Sequence, residues 1–260
     1  MNRVHPSAIV DPDAKLGEGV EIGPFAVVDA GVELERGCIV HAHGVVRGPS
    51  LLGPNCVVHS FAVVGGEPQS KTYRGGPARI VAGAGNVFRE HATVHGGTEG
   101  RATHVGDHNL IMVGAHIGHD AQIGSHCVLS NSVQIAGHTV VEDYVTFGGL
   151  SGIAQCCRVG ESAFVAAAAV CERDIPPFVV VQGDRARVRT LNVVGLRRRG
   201  VAESSIAALR RAVRRVWSRS TIMADEVEAL ACETDPYVQQ LRAWLVARSD
   251  VRDKIPKRSR

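Results

Sequence analysis

Residues 111–135 read IMVGAHIGHDAQIGSHCVLSNSVQI, and this stretch decides the fold. An aliphatic residue recurs at every sixth position, and a small residue generally stands four places after it. A period of six fits neither an α-helix, whose period is about 3.6, nor an ordinary strand, whose period is about 2. It is the period of the hexapeptide β-helix, in which three units form the three sides of one coil of a triangular prism.

The same period runs along most of the chain. It is unbroken from Val10 to Val64 and again from Val105 to Val165. Neighbouring coils of such a prism stack as parallel strands about 4.8 Å apart, so the repeated aliphatic residues are expected to point inward. The predicted fold class is an all-β left-handed parallel β-helix followed by a small α-helical C-terminal domain.

Two segments interrupt the repeat and define the expected organisation. Residues 67–79 and 95–104 lack the period and are predicted to project as loops, which in solenoids either carry function or are tolerated insertions. The repeat ends after Ile175 and the two prolines that follow it. We therefore predict the β-helix over residues 1–183, and a linker with the helical domain over residues 184–260.

Composition excludes several classes of protein. Hydrophobic residues make up 45% of the 260 residues and charged residues 21%, which excludes disorder for most of the chain. No apolar run reaches the roughly 18 residues of a membrane span, and the start lacks a signal peptide, so we expect a cytoplasmic protein. An odd count of seven cysteines without metal-type spacing is a poor disulfide framework, and the four at the small position of the repeat are expected to be packing residues.

The C-terminal region is strongly basic. Residues 185–219 contain eleven arginines and one acid, and helices are predicted over residues 204–219, 222–233 and 236–248. In the first helix the apolar residues share one face and the arginines share the other. Such a face suits an acidic protein or phosphate groups, although a merely solvated helix face is an equally good interpretation. No nucleic-acid partner is expected.

Histidines gather at one part of the predicted prism. Because eighteen residues complete a coil, His95, His119, His138 and Gln155 belong to units that stack on one prism face. His116, at the end of the preceding unit, is expected at the adjoining corner. Any one of these could be a solvated surface histidine, but an aligned polar column indicates a site.

Two chemistries compete for this column. Catalytic zinc needs three converging imidazoles. The five-residue spacing of two ligand histidines found in hexapeptide-repeat carbonic anhydrases is absent here, which makes a zinc hydratase the less favoured alternative. General-base catalysis needs only one histidine, a neighbour to orient it, and a donor for the developing negative charge. We therefore expect neither a metal nor a cofactor.

Several motifs also resemble a known family. The stretch GAHIGHD at residues 114–120, AGH at 136–138 and GLRRRG at 195–200 resemble the UDP-N-acetylglucosamine 3-O-acyltransferases of lipid A biosynthesis. The resemblance spans essentially the whole chain. It implies a homotrimer with sites between neighbouring prisms, which transfers a 3-hydroxyacyl chain from acyl carrier protein to a hydroxyl of a nucleotide sugar.

The resemblance also implies residue roles. His119 matches the general base, Asp120 the residue that orients it, and the backbone N–H of Gly137 the oxyanion donor. His138 matches a supporting histidine, and Ala167 falls where the family sets the length of the acyl chain. The positions expected to bind substrate are His116, His95, Lys71, Gln155, Asn192, Arg198 and Arg199.

The chain departs from the family pattern around the sugar nucleotide. The family loop reads Gln-Asp-x-Lys-Tyr, whereas residues 69–73 read Gln-Ser-Lys-Thr-Tyr, so Ser70 and Thr72 replace an acid and a lysine. Ala154 occupies a position where the family usually has a histidine, and Val194 one where it usually has a glutamate. A different sugar or an amine acceptor is therefore an alternative to UDP-N-acetylglucosamine, and a non-catalytic scaffold is a third interpretation.

Overall fold

The computed structural model describes residues 1–98, 100–217 and 224–251 of the chain. Over these residues the first three quarters of the chain form a parallel β-helix built from very short strands. The strands of the first half are β1 Arg3–Val4, β2 Ile9–Val10, β3 Lys15–Leu16, β4 Glu21–Ile22, β5 Val27–Val28, β6 Val32–Leu34, β7 Ile39–Val40, β8 Val45–Val46, β9 Ser50–Leu52, β10 Val57–Val58, β11 Val63–Gly66, β12 Arg79–Ala82, β13 Val87–Phe88 and β14 Thr93–His95. Those of the second half are β15 Ala102–Val105, β16 Leu110–Ile111, β17 His116–Ile117, β18 Gln122–Ile123, β19 Val128–Leu129, β20 Gln134–Ile135, β21 Val140–Val141, β22 Thr146–Phe147, β23 Gly152–Ile153, β24 Arg158–Val159, β25 Phe164–Val165, β26 Val170–Cys171, β27 Val179–Gln182 and β28 Arg187–Leu191.

Every third strand joins the same sheet, which gives the prism three faces. Face A runs from β1 through β4 and β7 to β25 and ends in the hairpin β27–β28; face B runs from β2 to β26, and face C from β3 to β24. We name the edges between faces the AB, BC and CA corners, in the order in which the chain turns them. Strands pair in parallel along face B, with one shift of register between β11 and β14, and Ile117 lies between Val94 and Ile135.

The core follows the six-residue period. The second residue of a typical two-residue strand is buried, as for Ile111 on face A, Ile117 on face B and Ile123 on face C, while the first residue points outward. The small residue two places before the strand end is also buried from Val20 onward in most units, whereas Ala8 and Ala14 of the first coil are partly buried. Four of the cysteines occupy that position and are free thiols. The predicted inward column is confirmed.

The interrupting segments lie where the sequence places them, with tighter limits. The first loop occupies residues 67–78 between β11 and β12. The second runs from residue 96 to 101 between β14 and β15, with residue 99 outside the described part, so His95 and residues 102–104 belong to strands.

The two ends of the prism differ. At the N-terminal end Val4 and Ile9 are 45% and 67% exposed. At the other end β28 pairs antiparallel with β27, and helices cover the last coil. The boundary predicted at residue 183 thus falls in the turn of this hairpin, and it stays a prediction.

The C-terminal helices are α1 Val193–Arg198, α2 Glu203–Val216, α3 Ala224–Ala229 and α4 Pro236–Val251, with a short 3₁₀ turn at Leu230–Cys232. Helix α2 buries Ile206, Leu209 and Val213 and exposes its arginines, as its amphipathic pattern predicts. The ends of two predicted helices, at residues 218–219 and 222–223, lie outside the described residues. No helix of the described segments has the length and apolar character that a bilayer span requires.

Candidate active site

The predicted polar column lies on and beside face B. Strands β14, β17, β20 and β23 stack there, as the eighteen-residue coil predicts. His95 and His116 sit on these strands, whereas His119 and His138 follow them at the BC corner. The sequence placed His116 at the corner and the other three histidines on the face, so the placement of His95 is correct, whereas His116 has changed places with His119 and His138.

A buried histidine–carboxylate pair stands at the BC corner. His119 Nδ1 lies 2.7 Å from Asp120 Oδ2, and the two side chains are only 7% and 3% exposed. Thr98 supports the carboxylate by donating from its backbone N–H and from its hydroxyl, at 3.0 Å to Oδ1 and Oδ2 respectively. Burial acts to raise the pKa of Asp120, but hydrogen bonds from His119 and Thr98 outweigh it and hold the pKa below its ordinary value. An ionised carboxylate only accepts, so His119 carries its proton on Nδ1 and keeps the Nε2 lone pair free.

His138 is the second ring of this corner. Its plane is perpendicular to the His119 ring, with centres 4.9 Å apart, and its Nε2 lies 3.7 Å from Asp120 Oδ2. Burial, followed by the charges of His119 and Arg101, lowers the pKa of His138, against the opposing pull of Asp120. The neutral ring is therefore favoured.

Gly137 touches the free face of the His119 ring. A Cβ built at Gly137 would lie 2.8 Å from His119 Nε2, closer than real Cβ contacts come. Among the described residues no acceptor takes the Gly137 N–H. Glycine thus lets the backbone approach the reactive nitrogen and leaves a donor beside it.

His116 and His95 extend the site along face B. His116 Nδ1 lies 2.9 Å from Thr93 Oγ1, and its ring centre lies 5.1 Å from that of His95. His95 Nδ1 donates to the backbone oxygen of Glu67, at the start of the first loop. Burial, then the charges of His95 and His119, lower the pKa of His116 to about 4, so this ring is neutral at physiological pH.

A groove of about 520 Å³ runs over face B from these histidines. His119 and Gly137 lie at one side of it, and its walls combine apolar and amide groups, with no charged side chain other than Glu172. The lining includes Gln69, Gln134, Ala154, Gln155 and Val170. Such a groove suits an acyl chain beside a polar head group.

Four predicted substrate-binding residues lie elsewhere in the single chain. Lys71 is exposed in the first loop, and its backbone oxygen accepts from Arg74. Asn192 is 8% exposed and caps α1, since its Oδ1 accepts from Gly195 N and its Nδ2 donates to Ser162 O. Arg198 is exposed at the end of α1.

Arg199 is held at the CA corner. It pairs with Glu161, donates to the Ser162 hydroxyl, and stacks 3.9 Å from the ring centre of Tyr144. These contacts join the helical domain to the prism. Ala167 is exposed at the AB corner and is not part of the groove of the same chain.

The sequence analysis missed two threonines that matter here. Thr98 donates to Asp120, and Thr103 accepts from the Asp120 N–H while donating to His95 O. Both belong to the part of the chain where the period fails, so the coil arithmetic gave no position for them. The interruption itself was the available signal, because a loop beside a polar column can supply its supporting groups.

Comparison with known proteins identifies the family. A model described as "Udp N-acetylglucosamine O-acyltransferase; Domain 2" matches residues 174–252, and one described as "Bacterial transferase hexapeptide (six repeats)" matches residues 13–48 and 102–137. The acyl-[acyl-carrier-protein]–UDP-N-acetylglucosamine O-acyltransferases of Pseudomonas putida strain GB-1 and Alkalilimnicola ehrlichii are 44% and 47% identical to the chain, each over 95% of it and 97% of the relative. The chain belongs to the UDP-N-acetylglucosamine O-acyltransferase family.

Solved structures agree with the acyltransferase assignment. The UDP-N-acetylglucosamine acyltransferase of Campylobacter jejuni superposes with a TM-score of 0.88 at 30% identity, covering 94% of this chain and 96% of its own. LpxA from Acinetobacter baumannii gives the same TM-score at 33% identity, over 92% and 95%. The prism is thus a left-handed parallel β-helix with a small helical domain, and an acyltransferase is favoured over a zinc hydratase.

Proposed function

We propose that the chain transfers a 3-hydroxyacyl group from acyl carrier protein to a hydroxyl of UDP-N-acetylglucosamine, with His119 as general base. The observation that carries this proposal is the buried His119–Asp120 pair, whose Nε2 faces the backbone of Gly137 at the edge of the groove on face B. The names of the relatives state the transfer of an acyl group from acyl carrier protein to an oxygen of UDP-N-acetylglucosamine.

The reaction follows from this arrangement. His119 Nε2 takes the proton of the sugar hydroxyl while that oxygen attacks the thioester carbonyl carbon. The Gly137 N–H donates to the tetrahedral oxyanion, and one such donor is worth about 3–4 kcal/mol in other acyl transfers. As the intermediate collapses, the C–S bond breaks and the thiolate takes the proton back from His119. Asp120 keeps the Nδ1 proton in place and stabilises the imidazolium that forms in between.

His116 and His95 are expected to bind the acceptor. Both rings face outward on face B next to the base, and His116 stays uncharged. A neutral imidazole can donate to or accept from a sugar hydroxyl without the cost of burying a charge. Gln155 lines the groove on the other side of Gly137 and offers an amide to the same ligand.

An exposed aromatic column supports assembly as a homotrimer. At the AB corner, Phe25, His43, Phe61 and His91 stack with ring centres 5.0–5.3 Å apart. Phe25 and Phe61 are 58% and 51% exposed, and Leu150 on the same corner is 72% exposed. Apolar groups aligned on one edge are typical of an interface between subunits.

A threefold arrangement would also complete the site. With three AB corners at the axis, face B of one copy lies opposite face A of the next. Face A ends in the hairpin that leads into α1, so the exposed Arg198 would come to the histidines of the neighbouring copy. Aspartate tolerates the positive φ of 63° found at position 61, so Phe61→Asp should fold. This variant should be monomeric in light scattering and show no acyl transfer.

The carrier protein is expected to dock on the basic side of the helical domain. Arg189, Arg210 and Arg214 line a cleft between β28 and α2, next to Trp217. Within the described residues, none of these three arginines forms an ion pair, unlike Arg215. Unpaired guanidinium groups attract an acidic partner and speed its encounter.

Mass spectrometry of the products tests the proposed function. Purified protein is incubated with a 3-hydroxyacyl carrier protein and a panel of nucleotide sugars that includes UDP-N-acetylglucosamine. We expect an acylated UDP-sugar from the wild type and none from His119→Ala. The variant should keep the melting temperature and the assembly state of the wild type, and activity within a few-fold of wild type would remove His119 from the role of base.

A further inference from the structure

The corner that holds the general base also has the spacing of a metal site. One ligand atom each from His119, Asp120 and His138 lies within 4.8 Å of the other two, the only such group among the described residues. General-base catalysis does not require His138 to lie this close to the other two residues, because the base needs only one carboxylate partner.

We propose that His119, Asp120 and His138 bind a zinc ion, and that this ion switches the acyltransferase off. Zinc holds nitrogen and oxygen ligands at about 2.0–2.2 Å, which in a tetrahedral site places neighbouring ligand atoms about 3.4 Å apart. Here Asp120 Oδ2 lies 2.7 Å from His119 Nδ1 and 3.7 Å from His138 Nε2. Small rotations of the two rings would bring these two distances to the required value, and all three ligand atoms already lie within 4.8 Å of one another.

The surroundings of the three ligands favour a bound cation. Asp120 supplies a negative charge, and Thr98 fixes its carboxylate with two donors, as outer hydrogen bonds do around known metal ligands. The His138 side chain is 33% exposed, which leaves a path for the ion and room for water at the fourth position. The positive charge of Arg101 also acts on His138, and the negative charge of Asp120 opposes it.

Zinc at this place would disable the base through the tautomer of His119. The metal takes the Nδ1 lone pair, so Nδ1 gives up its proton and Nε2 takes one from water; the ring stays neutral and no net proton is gained or lost. With its hydrogen on Nε2, His119 can donate a hydrogen bond to the sugar hydroxyl but cannot accept its proton. Inhibition therefore rests on the proposed function of His119, whereas zinc binding does not.

Calorimetry on the full-length protein separates the two statements. Zinc chloride titrated into chelator-treated protein should bind at one ion per chain. His138→Asn should weaken binding by at least about 10-fold, since even outer partners of a metal ligand are worth about 10–100-fold. The matched control is His126→Asn, in a stack with His108 and Tyr144 at the CA corner. Residues 138 and 126 have φ of 58° and 59°, which asparagine tolerates, so both variants should fold.

A second variant and an activity assay complete the test. Thr98→Ala leaves all three ligands in place and should weaken zinc by about 10-fold by loosening Asp120. Zinc should stop acyl transfer by the wild type, and a chelator should restore it. Absence of binding, binding lost in His126→Asn but kept in His138→Asn, or full activity with zinc bound would each overturn the proposal. A metal-free protein without acyl transfer would refute the proposed function instead, and calorimetry would still decide the zinc site.

Discussion

Adding one methyl group at Gly137 tests the geometry of the base directly. The new Cβ of Gly137→Ala would lie 2.8, 3.0 and 3.1 Å from Nε2, Cε1 and Cδ2 of His119. Ordinary contacts need about 3.5 Å, so the ring must retreat by about 0.7 Å. Its Nδ1 is held at 2.7 Å by the buried Asp120, so the ring can only tilt, and the tilt moves Nε2 away from the substrate.

The expected loss can be stated as a rate. A misplacement of about 1 Å in a catalytic group costs about 10²-fold. We expect kcat/KM of Gly137→Ala to fall by about 30- to 100-fold, which is about 2–2.7 kcal/mol of barrier. The assay is release of carrier-protein thiol at fixed UDP-N-acetylglucosamine, with melting curves for both proteins. Gly149→Ala is the control, because its nearest neighbour would be 3.4 Å away.

A threefold loss or less in Gly137→Ala, with the fold intact, would refute this account of the base. The position of His119 would then be too adaptable for its tight contact with Gly137 to matter.

Three further results are expected. Arg199→Ala should lower the free energy of unfolding by about 2 kcal/mol in denaturant titrations, because it breaks a partly buried ion pair and a ring contact. Arg198→Ala should leave the free energy of unfolding unchanged and raise the KM of a substrate by about 10-fold or more. Added salt should raise the same KM in the wild type. The pKa of His116 lies at about 4 in the folded protein against 6.5 ordinarily, so between these values the unfolded chain binds the extra proton. Stability should therefore fall as the pH drops from 6.5 to 4, and His116→Gln should flatten part of that decline. Ser70 and Thr72 pair their hydroxyls at 2.9 Å and bring no charge to the loop. The double change Ser70→Asp with Thr72→Lys should therefore lower the KM for UDP-N-acetylglucosamine in the transfer assay, and an unchanged KM would end this idea.

The fold and the heart of the site could be predicted because the repeat converts sequence distance into spatial position. Eighteen residues return the chain to the same corner, so His119 and Gly137 had to become neighbours, and Asp120 and His138 had to stack in the next column. No propensity argument was needed, since the register of each short strand is fixed by its inward aliphatic residue.

Contacts made by segments outside the repeat could not be predicted in this way. The support that Thr98 gives to Asp120 depends on how a loop folds back, and the pairing of Arg199 with Glu161 depends on how a helical segment docks. From the sequence, Arg199 was only one of several arginines expected to bind substrate. Its stack on Tyr144 arises from tertiary packing, which a local pattern does not encode.

Because the two ends of the prism differ, we expect local unfolding to begin at the N-terminal end. Each coil is held mainly by the coils above and below it, so strands can be lost one layer at a time from an end that no described segment covers. The first layer, with Val4 and Ile9 exposed, is such an end, whereas the last is sealed by a hairpin and helices. Amide exchange should therefore rise layer by layer toward β1, and the layers of the histidines, well inside the stack, stay protected while the first ones open and close.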